Sequence, residues 1–505
     1  MIRSICFNYV GMIITGLVGF LLTPVLIHGL GDYHYGMWIL VASIVDYYGL
    51  ADLGIRFTLQ RHVARFKGTD QRLALDRTFM TALVMSLGVS GLILLVTVGS
   101  ARWLPVMFRV SGPDRTLFVR VLLLLGTSFV VALPGKVLGA YLCGLQRFDL
   151  YNLVGTGTTI VQAILLLWAL HLGYGIEGCA AVTLLVGVLS LAAYWTLVKA
   201  ADPGATLDLR QTSWGEMREL FNFGVYVFVS QVGDLFRFRL DSLVIARWLN
   251  LSLVTHFNVA ARLVEYFRYV SAAIVGPLIT EMSSLDGQDK EEGLQDLFLR
   301  STRCTALLSL FVGALLCVNG AALFSVWLGN SFVSSYAVLV TLAVARTGAT
   351  LQSPSMVLLL ARGRHRALGW WTLGEGLVNL ILSIHWAKKF GMLGVAMGTA
   401  VPMILFRLVV QPWYTLRVAR VSVSRYFSES LARPLIVLAL FMVVVRLTSP
   451  VPAHQTVVTL AAAVLWQTLV YGTLAYSTGF TSRERQGMRE RVRALVIRRE
   501  AVPTA

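Results

Sequence analysis

Runs of about twenty mostly apolar residues recur along this chain of 505 residues, and they constrain its fold more than any other feature. A helix of that length crosses the hydrocarbon core of a bilayer. About fourteen such runs are bounded by charged or turn residues. The alternating pattern that is typical of transmembrane β-strands is absent from the sequence. The sequence therefore predicts an all-α polytopic membrane protein with about fourteen transmembrane helices.

The charged residues support the same interpretation. They make up 14% of the chain, against about 25% in a typical soluble domain. The net charge of +17 alone would suit a protein that binds nucleic acid. However, Lys and Arg cluster in short segments between the apolar runs, as they do in the cytoplasmic loops of membrane proteins. We therefore expect membrane lipids as partners, and no nucleic acid.

The basic segments also predict an orientation. The segments 56–77, 361–369, 417–430 and 481–500 are rich in Arg, and all of them fall on the same side of the membrane as the N-terminus. Since Lys and Arg are enriched in cytoplasmic loops, we expect both termini in the cytoplasm. The loops on the outer side are short and leave no room for an outer domain.

A polar break near the middle of the chain divides it into two parts. The break contains Pro203 and Gly204, and Ser213 with Glu216 forms a capping box that starts a new helix. The two parts are alike in outline, as is expected of transporters built from repeats. We predict two six-helix bundles with a pseudo-two-fold relation, followed by two additional helices. The predicted boundaries are 1–200 for the first bundle, 201–217 for a cytoplasmic linker, 218–416 for the second bundle, 430–480 for two additional transmembrane helices, and 481–505 for a basic cytoplasmic tail.

Motifs of enzymes are missing from the sequence. The pair Gly135–Lys136 lacks the upstream glycine and the Ser or Thr of a P-loop, and neither HExxH nor G-x-S-x-G occurs. The eight histidines are dispersed, and the five cysteines are scattered without a CxxC pair. The sequence therefore predicts no catalytic residue, no metal site, no disulfide framework and no cofactor, so we do not expect an enzyme.

The charged residues inside the apolar runs are the candidates for function, because a charge at membrane depth is costly and normally faces a bundle interior or a water-filled cavity. Asp234, Arg237 and Asp241 follow one helical stripe at i, i+3 and i+7. Arg262, Glu265 and Arg268 step by three along the next run. One interpretation is a polar cavity for an anion and a coupling ion. The other is that internal ion pairs hold the helices together.

The cavity interpretation yields two sets of candidate site residues. The basic residues of the predicted anion cavity are Lys136, Arg237, Arg239, Arg262, Arg268, Arg346 and Arg407. The acidic candidates for ion coupling are Asp46, Asp234, Asp241, Glu265 and Glu375. Lys136 follows Pro134, which can kink a helix, and Pro354 and Pro402 mark further kinks. Asp52, Arg120 and Glu281 lie near span ends, where we expect interfacial or pairing roles.

Two stretches of the chain resemble a known family. In the first, Leu30, Gly31 and Asp32 are followed by Tyr35 and Gly36, and then, after an apolar helix, by Asp52, Leu53 and Gly54. The second has Asp241, Phe257 and Ala260–Ala261. In these positions the chain resembles polysaccharide flippases of the multidrug/oligosaccharidyl-lipid/polysaccharide export superfamily. The length, the number of spans and the two-bundle outline are similar as well.

The resemblance implies a function. It implies a protein of the bacterial inner membrane that moves an undecaprenyl-pyrophosphate-linked oligosaccharide from the cytoplasmic to the periplasmic leaflet. An ion gradient would drive this movement by alternating access, and a polysaccharide polymerase and other assembly proteins would be partners. Buried arginines suit such an anion as bidentate donors. One departure from the family is that Asp234, Asp241 and Glu265 lie beside the arginines, whereas the family's cavity is typically cationic.

Other functions remain open. A multidrug exporter of the same superfamily, acting as a cation antiporter, would need an acidic site, and the many intramembrane arginines count against it. A flippase for the peptidoglycan precursor would also have fourteen spans. A membrane glycosyltransferase or a polymerase would need a sizeable soluble part or a large periplasmic loop, and the sequence shows neither.

Overall fold

The computed structural model describes residues 2–52, 54–67, 71–205, 208–218, 221, 240–448, 456–482, 484–487 and 490. Within these residues the regular structure is helical throughout, and no strand is present. The all-α class predicted from the apolar runs is confirmed.

The first seven helices cover the N-terminal part of the chain. Their bounds are Ile2–Tyr47 (α1), Ile55–Lys67 (α2), Arg72–Ser100 (α3), Leu104–Met107 (α4), Pro113–Gly144 (α5), Phe148–His171 (α6) and Gly175–Ala201 (α7). Short 3₁₀ turns at Tyr48–Asp52 and Leu209–Gln211 follow α1 and α7.

In the remainder of the described residues, eleven further helices have defined bounds. Their bounds are Leu240–Trp248 (α8), Leu251–Glu265 (α9), Phe267–Gly287 (α10), Glu291–Trp327 (α11), Tyr336–Leu351 (α12), Ser353–Ala361 (α13), His365–Ile404 (α14), Gln411–Ala419 (α15), Val423–Tyr426 (α16), Ala432–Thr448 (α17) and Val457–Leu474 (α18). A 3₁₀ turn at Asn330–Ser335 precedes α12, and π-helical turns occupy Leu405–Val410, Phe427–Leu431 and Ala475–Gly479.

Ten helical stretches among the described residues are long and apolar enough to cross a membrane. Two of them, Gly11–Ala51 and Ala367–Ala419, each contain two predicted spans. In each, a glycine with positive φ breaks the helix between the two spans: φ is 77° at Gly31 and 59° at Gly391. The spans predicted at roughly 218–246 and 252–283 include residues outside the described part. The multi-pass membrane character is therefore confirmed, whereas the count of fourteen remains a prediction.

The chain separates into two compact units. The first comprises Met1–Asn258 and Ser383–Val395, and the second comprises Val259–Leu382 and Ala396–Ala505. The predicted boundaries of the bundles, the linker, the additional helices and the tail are not tested by this division and remain predictions.

The core of the first unit lies around the short helix α2. Ile55, Leu59 and Val63 recur every four residues along one face of α2, and all are at most 1% exposed. They pack into a cluster with Phe79 of α3 and Tyr141 of α5. The apolar face thus anchors α2 to the ends of two long helices, while Arg61 on the opposite face is exposed.

Two of the apolar clusters in the second unit involve α11. Phe298 of α11 packs with Leu358 of α13 and Leu416 of α15. Further along α11, Leu307 and Phe311 pack with Phe441 of α17 and Tyr471 of α18. The two helices at the end of the chain are thus held by the same long helix that supports α13 and α15.

Helices α5 and α13 end in the same way. The backbone N–H of Arg147 donates to the carbonyl of Leu142 (2.9 Å) after Gln146, whose φ is 62°. Likewise, the N–H of Arg364 donates to the carbonyl of Leu359 (2.8 Å) after Gly363, whose φ is 68°. Both are helix ends closed by a left-handed residue. The same closure recurs at Val421, whose N–H donates to the carbonyl of Leu416 (3.0 Å) after Arg420, so the predicted repeat remains a prediction.

Candidate functional site

An ion pair lies at membrane depth in the second unit. Nε of Arg407 donates to Oε2 of Glu375 across 3.2 Å. The side chain of Glu375 is 2% exposed, and that of Arg407 is 11% exposed. Because both charges are withdrawn from water, each needs the other and further hydrogen bonds. The structure therefore brings together two residues that the sequence placed in separate candidate sets.

The backbone places Arg407 in a π-helical turn. This turn, Leu405–Val410, joins α14 to α15 without a break in the helix. A π turn inserts an extra residue into a helix and redirects the side chains on one face, and such turns are frequent at functional sites. Glu375 lies on the regular part of α14, ahead of the break at Gly391. The turn thus decides which face of the helix carries the guanidinium.

A buried glutamine extends the ion pair. Nη1 of Arg407 donates to Oε1 of Gln411 (2.9 Å), and Nε2 of Gln411 donates to the main-chain carbonyl of Gln352 (3.0 Å). Gln411 and Gln352 are 1% and 2% exposed. Both residues lie where a helix starts next to a proline, Pro412 in α15 and Pro354 in α13.

The side chain of Gln352 is held in turn by two hydroxyls. Ser355 donates to its Oε1 across 2.7 Å, and the hydroxyl of Tyr426 lies 3.0 Å from its Nε2 and 3.3 Å from its Oε1. Ser355 is fully buried, and Tyr426 is 4% exposed. The polar chain therefore runs from Glu375 through Arg407, Gln411 and Gln352 to Tyr426, and side chains of α13, α14, α15 and α16 take part in it.

One nitrogen of Arg407, Nη2, takes no part in this chain of hydrogen bonds. Nε and Nη1 are taken by Glu375 and Gln411, whereas no described residue accepts a hydrogen bond from Nη2. Guanidinium groups bind phosphate oxygens well because their N–H donors lie in one plane. The site therefore offers one oriented, charged donor to an anion.

A second cation lies in the first unit. The ammonium of Lys136 stands 4.1 Å from the centroid of the Phe129 ring, a cation–π contact. The ring of Phe129 lies edge-on to Tyr48 at 6.0 Å, and the hydroxyl of Tyr48 accepts a hydrogen bond from Thr97 (3.0 Å). The predicted role of Lys136 in an anion cavity remains a prediction.

The other described candidates differ in exposure. Asp241 is 8% exposed, and Asp46 is an exposed side chain. Arg262, Glu265 and Arg346 are half-buried. Their predicted roles are unchanged by these observations.

Several predicted residues lie outside the described part of the chain. They are Asp234, Arg237 and Arg239. The backbone of Arg268 is described as part of α10, but its side chain is not, and the same is true of Asp52 in the turn after α1. The predicted stripe of Asp234, Arg237 and Asp241 therefore stays a prediction.

Reasoning from charge alone missed Gln352, Gln411 and Tyr426, because none of them is ionised at neutral pH. One signal was present in the sequence. Each glutamine precedes a proline by one or two residues inside an apolar run, in "QSP" and "QPW". A polar side chain beside a helix start at membrane depth needs a partner, as the backbone there does.

Comparison with known proteins gives both family and fold matches. A model of the family described as "Polysaccharide biosynthesis protein" matches residues 32–337 of this chain. "Uncharacterized membrane protein EpsK" of Bacillus subtilis is 21% identical over 482 residues, which is 94% of each chain. "Probable flippase AglR" of Haloferax volcanii is 22% identical over 398 residues, covering 77% of this chain and 78% of the relative.

Two solved structures align with most of the chain. An inward-facing multidrug resistance MATE family transporter of the MOP superfamily aligns with a TM-score of 0.69 at 17% identity, covering 83% of this chain and 98% of that one. The lipid II flippase MurJ in an inward closed conformation aligns with a TM-score of 0.64 at 14% identity, covering 93% and 98%. The chain therefore has the fold that these two transporters share.

Proposed function

This chain belongs to the polysaccharide biosynthesis protein family, and from that membership we propose that it is a flippase for a lipid-linked glycan. The proposed substrate is an undecaprenyl-pyrophosphate-linked oligosaccharide, moved from the cytoplasmic to the periplasmic leaflet of a bacterial inner membrane. Alternating access between two helical bundles, with both termini in the cytoplasm, is the proposed mechanism. A polysaccharide polymerase that takes up the flipped glycan is a proposed partner.

The buried Arg407 is the observation that carries this proposal. A pyrophosphate that crosses the membrane needs cationic donors at membrane depth. The charged side chain of Arg407 lies in an apolar run and is only 11% exposed, and burying a charge there costs free energy, which is typical of a functional residue. Its Nη2 is oriented by the two bonds that Nε and Nη1 make. Lys136, Arg237, Arg239, Arg262, Arg268 and Arg346 are the further proposed donors.

Glu375 links this anion site to a coupling ion. The carboxylate and a substrate anion compete for the same guanidinium, since Nε of Arg407 serves Glu375 when no anion is bound. A proton on Glu375 removes the competitor and leaves two neighbouring nitrogens, Nε and Nη2, for a bidentate contact. Asp46, Asp234, Asp241 and Glu265 are the other proposed coupling residues.

Mass spectrometry of lipid-linked sugars in a strain that lacks this protein tests the proposal. We expect an undecaprenyl-pyrophosphate oligosaccharide to accumulate while surface glycan is lost. Wild-type protein should reverse both effects, and Arg407→Ala should not, when the amount of each protein in the membrane is matched. Arg425→Ala is the control, because Arg425 forms a half-exposed i,i+4 pair with Glu429 (3.0 Å) and should complement fully.

Two outcomes would contradict the proposal in different ways. Complementation by Arg407→Ala would remove Arg407 from the binding site. The absence of any lipid intermediate, together with sensitivity to cationic drugs, would favour a multidrug exporter. That alternative is supported by the likeness in fold to a MATE transporter.

A further inference from the structure

The amide of Gln411 is placed to orient the Arg407 guanidinium, and we propose that Gln411 is a positioning residue for anion binding. This inference rests on the proposed function, since it assigns a role within the same site. Gln411 carries no charge, so it would not bind a pyrophosphate as Arg407 does. It acts by fixing the direction in which the charged donor points.

Both the oxygen and the nitrogen of the Gln411 side-chain amide form hydrogen bonds. Its oxygen accepts from Nη1 of Arg407 at 2.9 Å, and its nitrogen donates to the carbonyl of Gln352 at 3.0 Å. A flip of the amide would turn its nitrogen toward a guanidinium and its oxygen toward a carbonyl, so both bonds would be lost. The amide therefore has one stable orientation, and it holds Nη1 in place.

The anchor behind Gln411 is rigid. The Gln352 carbonyl also accepts the backbone N–H of Met356 (3.2 Å) in the first turn of α13. The Gln352 side chain is fixed by Ser355 and Tyr426. Since Gln352, Ser355 and Tyr426 are at most 4% exposed, water does not compete for these bonds. When the group that contacts a functional side chain is itself held by buried hydrogen bonds, the geometry of the contact is fixed to within a fraction of an ångström.

Two fixed bonds define the plane of the guanidinium. Glu375 holds Nε and Gln411 holds Nη1, so the direction of Nη2 follows from the covalent geometry. Without Gln411, the guanidinium could rotate about the bonds of the Arg407 side chain and turn Nη2 away from an incoming anion. An ordered donor binds an anion more tightly than a mobile one, because less side-chain freedom is lost on binding.

The test measures the affinity of the full-length protein in nanodiscs for undecaprenyl pyrophosphate, with undecaprenol as the uncharged comparison. We expect Gln411→Met to weaken binding of the pyrophosphate about tenfold, as loss of one hydrogen bond to a charged group would. Arg407→Ala should weaken it at least as much. Binding of undecaprenol should stay unchanged in both variants.

Gln467→Met is the matched control. Gln467 is 1% exposed and exchanges hydrogen bonds with Asn319 (2.6 and 3.2 Å), so it is an equally buried amide in the same unit. No hydrogen bond or ion pair joins Gln467 to Arg407. The Gln467→Met variant should lower thermal stability as Gln411→Met does, but it should leave the affinity for undecaprenyl pyrophosphate unchanged.

The double variant Arg407→Ala/Gln411→Met separates a positioning role from an independent one. If Gln411 acts through Arg407, the double variant binds as weakly as Arg407→Ala alone. Additive losses would overturn the inference, as would wild-type affinity of Gln411→Met. In either case a loss of binding in Arg407→Ala would leave the proposed function standing. If Arg407→Ala binds as the wild type does, the proposed site itself is wrong.

Gln411→Asn keeps the inference testable if Gln411→Met does not accumulate. Asparagine has the same amide but is one methylene shorter, so it cannot reach Arg407 and Gln352 together. We expect a similar loss of affinity, and Gln467→Asn serves as its control. Wild-type affinity of Gln411→Asn would show that the position of the amide is not required.

Discussion

At the scale of single residues, a buried arginine can serve either stability or binding, and its partners decide which. Arg303 has a side chain that is 9% exposed, and it contacts both Glu484 (2.5 Å) and the carbonyl of Glu429 (2.7 Å). Arg407 is similarly buried, but its two described contacts leave Nη2 over. Both terminal nitrogens of Arg303 are engaged, and its remaining nitrogen, Nε, is buried without a partner among the described residues. In Arg407 the remaining nitrogen is the terminal Nη2, which can donate to an anion.

Replacement of Glu375 by Gln tests the competition for Arg407. Glutamine imitates the protonated carboxyl group, so Arg407 is no longer held by a charge. We expect Glu375→Gln to bind undecaprenyl pyrophosphate several-fold more tightly than the wild type at neutral pH. Isothermal titration calorimetry at neutral pH measures this affinity.

A control variant and a contrary outcome accompany this prediction. Glu429→Gln removes a carboxylate that pairs with Arg425 and is 45% exposed. It should keep the wild-type affinity. If Glu375→Gln bound no more tightly than the wild type, the Glu375 carboxylate would not compete with the anion for Arg407, and Asp241 and Glu265 would be the next candidates for ion coupling.

At the scale of elements, helix breaks decide where side chains point. Gly31 divides α1, with φ of 77°, a conformation that residues with a side chain rarely adopt. After this break the second half of α1 passes close to the start of α9. A Cβ atom on Gly36 would lie 1.9 Å from the carbonyl oxygen of Leu251, and Thr255 of α9 donates to the carbonyl of Asp32 (2.6 Å).

This close approach makes Gly36 intolerant of a side chain. A Cβ atom at 1.9 Å from the carbonyl oxygen of Leu251 forces α1 away from the start of α9. We expect Gly36→Ala to destabilise the protein by about 1–3 kcal/mol, the usual cost of overpacking, and by more if the Thr255 bond is lost. The midpoint of thermal unfolding in detergent measures this effect. Gly49→Ala is the control, since nothing lies within 4 Å of its added Cβ; equal stability of the two variants would contradict the packing.

At the scale of the whole molecule, acids just beyond the last residues of spans tie chain segments to distant helices. In the first unit, Asp202 after α7 is held by Arg72 of α3 (2.7 Å) and Tyr141 of α5 (2.5 Å). Burial raises the pKa of Asp202, but the hydrogen bonds from Tyr141 and Arg72 outweigh it and bring the pKa below its usual value. The ends of α3, α5 and α7 are thereby joined.

In the second unit, Glu484 likewise ties a segment after a span to a distant helix. It is held by Arg303 of α11 (2.5 Å) and by the backbone N–H of Thr481 (2.8 Å). Burial raises the pKa of its carboxyl group, but the Thr481 N–H and the Arg303 charge more than offset this and lower the pKa. The segment that follows α18 is therefore fastened to α11, the helix that takes part in two apolar clusters of the unit.

The lowered pKa of Glu484 predicts a pH-dependent contribution to stability. A carboxyl group with a depressed pKa in the folded protein stabilises it above the unfolded pKa, about 4.3 for Glu, and this contribution is lost as the pH falls through the folded value. We expect Glu484→Gln to cost about 1–3 kcal/mol at neutral pH and nearly nothing in acid. Thermal unfolding in detergent at several pH values measures the difference. Glu490→Gln is the control. Glu490 is exposed, and its one hydrogen bond to a described residue is with Gln486 (3.1 Å), so this variant should match the wild type throughout. A deficit of Glu484→Gln that persists in acid would argue against the ion pair of Glu484 with Arg303.

The parts of the fold that follow from local rules could be predicted from the sequence. Apolar runs of membrane length require helices, because a backbone in lipid must satisfy its own hydrogen bonds. Glycines such as Gly31 lie where turns between spans were expected. Arg407 and Glu375 were identified as candidates because a charge in an apolar run is rare and expensive, whatever its partner is.

What only the tertiary structure decided is which of these residues meet. Glu375 and Arg407 are 32 positions apart, and Gln352 and Tyr426 are 74 apart. The sequence by itself determined a helical membrane protein with charges at membrane depth, because helix formation and burial depend on short stretches of chain. The pairing of Arg407 with Glu375, and the amide chain that orients it, depend on π turns and kinks in separate helices. No local sequence pattern sets the rotation of one helix against another, so the site forms only when the helices pack together.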